Sequence, residues 1–278
     1  MDKLINYLLS AIPLGMTFLY GSTGEIITEK AGHLNLGIPG IMCVGAAGGC
    51  LALQLMSVNA ALPGVLVVII ALLASFLCAA MMGLIYSFLT VSLHANQNVT
   101  GLALTTFGVG TMKFIMSKIT VMAAETETRY LYAIKYFRFP FAESTTLKYC
   151  GIMVFLAIAI AIVTSYVLNR TRVGLHLRAV GENPATADAM GINVTAYKYV
   201  ATLIGSGIAG LGGLFYGCLA VFLRRCGLCS GVLSSGASPT AAVFFLSTRA
   251  LGASRHLFFR PFALYRLYLN YICYLFSR

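Results

Sequence analysis

Charge is what this sequence has least of. Only 10% of its 278 residues are Asp, Glu, Lys or Arg, against roughly a quarter in soluble domains, while 59% are hydrophobic. Mean hydropathy is +0.87. Between Lys30 and Lys113 there is no charged residue at all. Such a chain cannot clothe itself in a solvated surface, so a soluble enzyme or soluble nucleic-acid-binding domain is excluded. The net charge of +11 fits loops facing an anionic cytoplasmic leaflet, because no soluble basic domain exists to hold a nucleic acid.

Several chemical motifs are absent too. No GxxxxGK[ST] loop occurs, so the chain does not bind ATP by that device. There is no HExxH, no GxSxG, and no acidic pair within the apolar stretches. Carriers driven by protons or sodium usually hold an intramembrane ionisable group. The interval 31–112 holds no carboxylate, so in a transporter of this sequence the energy would come from outside the chain. Of eight scattered cysteines only Cys226 and Cys229 form a CxxC, without a second pair or nearby His, and no metal site is expected. The opening MDKLINYLLSAIPLG has no positive cluster before its apolar run and no small-residue cleavage site after it. It reads as a retained first helix.

What is present is long apolar sequence. Leu4–Gly24, the interval from Ala31 to Lys113, Tyr149–Asn169 and Tyr199–Leu223 each meet or exceed the roughly 20 residues that span a bilayer as helix. Backbone groups in lipid must pair within their own segment, and no series of ten-residue alternations suggests a barrel. The fold class expected is therefore all-α, a polytopic transmembrane helix bundle in the cell membrane. Its spans fall at about 4–22 (kinked at Pro13), 37–57, 61–91, 97–117, 149–169 and 199–223. One or two further C-terminal segments are marginal, since the candidate 240–259 contains Arg249 and Arg255.

Two loops separate the later spans. Residues 118–148 mix Glu125, Glu127 and Glu143 with Arg129, Lys135 and Arg138; residues 170–198 carry Arg170, Arg172, Arg178 and Lys198 against Glu182 and Asp188. The positive-inside rule places the second loop in the cytoplasm. Two topologies follow. Either every segment crosses and the N-terminus lies outside, or the N-terminus lies inside and the glycine-rich segment from Gly37 dips without crossing.

The cytoplasmic loop holds GENPATADAMGI, a helix written with both stop signals: Asn183 for the N-cap, Pro184 for the first position, Gly191 for the left-handed C′ site. A helix of about two turns is unstable alone. It either folds back on its own bundle or docks on a cytoplasmic partner. In the last clear span Gly205, Ala209, Gly213 and Gly217 recur every four residues, a close-packing stripe. Asn35, Asn98, Thr105 and Thr106 are intramembrane polar groups that serve helix packing or line a solute path, whereas Asn96 and Gln97 read as helix caps.

Three stretches carry a resemblance. EKAGHLNLGIPGIMCVGA, NQNVTGLAL and TRVGLHLRAVGENPATADAMGI occur in the order found in the permease subunits of bacterial ABC importers for nucleosides, simple sugars and branched-chain amino acids. The first is similar to the family pattern at Glu29, Gly32, Asn35, Leu36, Gly37 and Gly40, with Pro39 where nucleoside-type members commonly carry glutamate. The third is similar at Thr171, Gly174, Leu177, Arg178, Ala179, Val180, Gly181, Glu182, Asn183, Pro184, Ala187, Gly191 and Ile192.

The resemblance covers about residues 5–223 and implies a permease core, 1–223, whose loop 170–198 couples to a separate ATPase. The helix 184–190 would sit in a groove of that ATPase, with Arg178, Gly181, Glu182, Asn183, Pro184, Ala187, Asp188 and Gly191 as coupling residues. Gly32, Gly37 and Gly40 would shape the first motif structurally. It further implies an ATP-binding subunit that carries the ATP, a second permease subunit and an extracytoplasmic solute-binding lipoprotein, with no cofactor on this chain. The chain is then a transport subunit rather than an enzyme. A neutral solute is expected, nucleosides first, with simple sugars and branched-chain amino acids as alternatives. An ATP-independent channel or facilitator is the rival class. Residues 224–278 hold seven arginines, seven serines, no lysine and no acid. They match no part of the family pattern, which suggests a frame-shifted or truncated tail and hence a non-functional permease as a further alternative.

Overall fold

The computed structural model of the chain describes residues 2–57, 64–123 and 151–225. Most of the polar stretch 118–148, the Cys226/Cys229 pair, the candidate segment 240–259 and the rest of the tail from 226 lie outside the described residues. Within them all regular structure is helical: α1 (Asp2–Lys30), α2 (Ile38–Ser57), α3 (Gly64–Ser87), a π-helical turn (Phe88–Ser92), α4 (Gln97–Ala123), α5 (Ile152–Arg170), α6 (Arg172–Glu182), α7 (Pro184–Ala189) and α8 (Val194–Arg225).

Two helices are longer than the apolar runs suggest. The first continues past the expected end near 22 to Lys30, because charge marks where a helix leaves the apolar layer, not where it stops. It stops at Gly32, whose φ of +83° turns the chain. The last begins at Val194 rather than near 199. Asn193 is its cap, accepting the Ala196 N–H at 3.1 Å.

The directions of the helices follow from their contacts. A Cβ on Gly32 would lie 3.2 Å from Gly181, Leu34 N–H donates to Gln97 Oε1 at 3.1 Å, and Ser92 shares a hydrogen bond with Tyr199. The C-terminal ends of α1 and α3 and the N-terminal ends of α2, α4 and α8 therefore meet at one end of the bundle, where the loop between α5 and α8 also lies. α2 starts where α1 stops and runs beside α4 in the same direction, Gly37 facing Leu104 and Gly101, and Gly40 facing Thr105. The interruption at 31–37 is thus a turn at one end of the bundle, and the start of α1 lies at the opposite end. Pro39 is the second residue of α2, a first-turn position whose missing N–H costs nothing.

α2, α3, α4, α5 and the stretch Val194–Cys218 of α8 are each long and apolar enough to cross a membrane. α2 and α8 are inner helices, while α3, α4 and α5 present wide apolar faces outward, among them Val65, Leu77, Met81, Leu102, Phe114, Ile162 and Val163. A surface of that kind belongs in lipid. Buried hydroxyls return to the carbonyls of their own helix: Thr23 to Tyr20, Thr28 to Glu25, Thr90 to Tyr86 and Thr202 to Lys198, all at 2.8 to 2.9 Å.

The stripe on α8 is a packing surface, and it serves two neighbours. Gly205 and Ala209 meet Gly24 of α1; Gly213 meets the Met42 carbonyl and Gly217 meets Cys50 and Ala46, all of α2. Between them Ser75 of α3 donates across to the Gly210 carbonyl at 2.9 Å. These contacts bring backbones together in the absence of side chains, which is how helices gain packing energy where no hydrophobic drive separates protein from lipid.

Candidate functional site: the α1–α2 turn and the α6–α7 loop

A turn of seven residues within a helical bundle frees backbone groups that must be paired. Here six of the seven N–H groups of residues 31–37 are paired by a named atom. Ala31 and His33 N–H donate to the Thr28 carbonyl and Gly32 N–H to the Glu29 carbonyl. Leu34 N–H goes to Gln97 Oε1, Asn35 N–H to Glu25 Oε1 at 3.0 Å, and Gly37 N–H to the Asn35 side chain at 2.9 Å. The Leu34 carbonyl accepts from the Tyr86 hydroxyl and the Leu36 carbonyl from Thr105. Helices α1, α3 and α4 each contribute at least one side chain to hold the turn.

Asn35, with 2% of its surface exposed, and Thr105 thus sit together at this turn, bonded to backbone. Asn98 and Thr106 do not join them. Asn98 is exposed at the start of α4, where its N–H is capped by Asn96, and Thr106 donates to the Ala103 carbonyl of its own helix. Gln97, read from sequence as a cap, instead reaches across to the turn. Glu25 and Tyr86 were not legible as participants: a single carboxylate after a charge-free run and a tyrosine in an apolar helix carry no distinguishing pattern.

The cluster is also under-satisfied. Glu25 Oε2, both ring nitrogens of His33 and the Asn35 amide nitrogen are buried without a hydrogen-bond partner among the described residues. Burial, and then the charge of Lys198, lower the His33 pKa from 6.5 to about 4, so the imidazole is neutral.

Directly against this turn lies the end of α6. A Cβ on Gly181 would penetrate the Lys30 carbonyl oxygen, so only glycine lets the two backbones meet. α6 begins with Thr171 accepting the Gly174 N–H at 3.3 Å, and Arg178 is tied back to Asn169 at the end of α5. Asn183 then closes one helix and caps the next, its Oδ1 accepting the Thr186 N–H at 3.2 Å, with Pro184 in the first position of α7. The exit is equally defined. Gly191 takes φ +80°, Ile192 N–H reaches the Ala187 carbonyl at 3.1 Å and Gly191 N–H the Asp188 carbonyl at 2.9 Å, which is a Schellman cap.

Only Ala187 of α7 is buried. Glu182, Asn183, Pro184, Asp188 and Gly191 are exposed, and Met190 keeps 82% of its surface open. Elsewhere, an apolar groove of about 790 Å³ runs between α5, α6 and α8, lined by residues such as Ile160, Val167, Leu177 and Ile208 together with Phe76 of α3. None of the four polar path candidates lines it.

The family described as branched-chain amino acid transport system / permease component matches residues 5–223. The chain belongs to this permease family. It is therefore a multi-pass protein of the cell membrane. Relatives of this chain include a nucleoside ABC transporter permease protein of Lactococcus lactis, 30% identical over 217 residues, which cover 76% of this chain and 65% of the relative. A guanosine ABC transporter permease protein of Bacillus subtilis is 31% identical over 219 residues, covering 75% and 65%. A chain of Haloferax volcanii provisionally named a glucose ABC transporter permease protein is 32% identical over 212 residues, covering 73% and 60%. The chain spans less than two thirds of the length of these relatives. No solved structure matches it.

Proposed function

We propose that the chain is the membrane-spanning permease subunit of an ATP-driven ABC importer for a neutral solute, nucleosides first. The observation that carries this reading is α7: a helix of six residues, capped at both ends and mostly exposed, held at the end of the bundle where the positively charged loop lies. A helix that short does not persist in water by its own propensity. Its caps fix its shape, and its small exposed side chains suit close approach by a partner's backbone.

In this reading Arg170, Arg172 and Lys198 mark the cytoplasmic end, so the N-terminus lies outside. A separate ATP-binding subunit, which carries the ATP, receives α7 in a groove. ATP binding draws those subunits together, α7 moves with them, and a bundle with two arrangements switches the side from which solute is reached. A second permease subunit and a solute-binding lipoprotein complete the importer. Simple sugars are the second substrate class, favoured by the relative named for glucose.

The test is co-purification and uptake. An ATP-binding protein that co-purifies with the chain, and is lost on joint substitution of Asn183 and Pro184, supports the reading. Uptake of labelled nucleoside or sugar then assigns the solute. Uptake that persists in cells lacking any ATP-binding partner would overturn the proposal in favour of a facilitator, and a chain that never supports uptake would make it a relic.

A further inference from the structure

The α1–α2 turn and the α6–α7 loop touch through glycine backbones, and this contact has a mechanical meaning. Gly181 is the second-last residue of α6, two positions before the Asn183 cap of α7. Its α-carbon sits under Gly32, and a side chain on Gly181 would strike the Lys30 carbonyl. No side chain intervenes to absorb a displacement by changing rotamer. A shift of α7 that turns the end of α6 therefore has to move the backbone of residues 30–32.

From there the load has few ways to dissipate. Residues 31–37 are anchored to α1 by Glu25, to α3 by Tyr86 and to α4 by Gln97 and Thr105. They lead without slack into α2, whose first turn packs backbone to backbone on α4 at Gly40 and Gly108.

We infer that the Gly32–Gly181 backbone contact is the relay that carries motion of α7 to the α1–α2 turn and so to the paired α2 and α4. Gly32 and Gly181 are positioning residues in this scheme, and the turn, not α6 or α8, is the receiver within the membrane bundle. The inference rests on α7 as the coupling helix for its purpose, but the mechanical link belongs to this chain alone and can be measured without any partner.

Amide hydrogen exchange on the full chain in lipid nanodiscs provides that measurement. Gly191→Val unwinds α7 from its far end, and since a Cβ at Gly191 would meet nothing within 4 Å the change strikes no packed neighbour. Exchange at Thr186 and Met190 should rise, and with it exchange at Leu34, Asn35 and Gly37, by tenfold or more, while amides in the far half of α4 stay unchanged. Gly181→Ala, which strikes Lys30 instead, should loosen Leu34, Asn35 and Gly37 while leaving the amides of α7 protected. Met190→Ala should leave both regions as they are. Unchanged protection at 34–37 in either glycine variant would overturn the relay.

With an ATP-binding partner present, Gly181→Ala should keep the partner bound but lower solute taken up per ATP hydrolysed at least tenfold. Loss of uptake together with loss of the partner would count against the relay. Absence of any partner from the unsubstituted chain would sink the coupling reading and leave the exchange result to decide the relay.

Discussion

The Tyr86 hydroxyl donates to the Leu34 carbonyl at 2.9 Å, joining residues 52 positions apart. Tyr86 is wholly buried, and its ring packs in the cluster of Ile38, Ile41, Met82 and Leu104. One side chain thus serves the apolar contact between α2, α3 and α4 and the polar needs of the turn. Tyr86→Phe keeps the ring and strands the carbonyl. We expect a loss of about 1–3 kcal/mol, the cost of a buried unpaired acceptor, read as an earlier unfolding midpoint in detergent. A midpoint equal to that of the unsubstituted chain would show that water takes the place of the hydroxyl.

Asn183 gives a cleaner contrast, because its side chain does one measurable thing. Its Oδ1 accepts the Thr186 N–H. Asn183→Ala removes that acceptor and should destabilise α7 by about 0.5–2 kcal/mol, whereas Asn183→Asp and Asn183→Ser retain a cap. Solute uptake in cells should fall in the alanine variant and recover in the other two, with equal amounts of each chain in the membrane fraction. Equal uptake in all three would separate the cap from coupling.

The sequence made some parts of this molecule visible and hid others for physical reasons. The caps of α7 were legible because Asn-Pro at one end and Gly-Ile at the other act through local backbone geometry, which a few adjacent residues determine. The spans were legible because lipid demands uninterrupted apolar helix. The stripe at Gly205, Ala209, Gly213 and Gly217 was legible as packing, but its division between α1 and α2 depends on how three helices cross. Asn35, which takes the Gly37 N–H, was legible as a residue able to pair the interrupted backbone, but the pairing of the turn by other helices was hidden. Glu25, Tyr86, Gln97 and Thr105 come from three helices and converge only in the folded bundle, so no spacing reports them. Of the path candidates, Asn35 and Thr105 share the turn, and Asn98 and Thr106 do not.

His33 makes the turn sensitive to acid. With its pKa lowered from 6.5 to about 4 by burial and by Lys198, the folded chain binds fewer protons than the unfolded chain between those values. Stability therefore rises with pH across that window, and the contribution is lost as pH falls from 6.5 towards 4. Unfolding midpoints measured at pH 7.5, 6, 5 and 4 should decline more steeply for the unsubstituted chain than for His33→Gln, which cannot acquire the charge. Parallel declines would place the acid sensitivity on another group.

Two glycines of similar appearance in sequence should respond oppositely to the same added methyl. Gly213 faces the Met42 carbonyl, and a Cβ there would overlap the oxygen; a Cβ on Gly110, on α4, would meet nothing within 4 Å. Gly213→Ala has to push α8 away from α2, an overpacking cost of about 1–3 kcal/mol. Gly110→Ala meets no such obstacle and removes backbone freedom from the unfolded chain, a gain of about 0.4–1 kcal/mol. Paired unfolding measurements in one detergent decide the matter. If both variants shift the midpoint the same way, the response follows helix propensity alone and the α2–α8 contact is looser than its geometry requires. Opposite shifts would establish that backbone approach between α2 and α8 holds the centre of this bundle together.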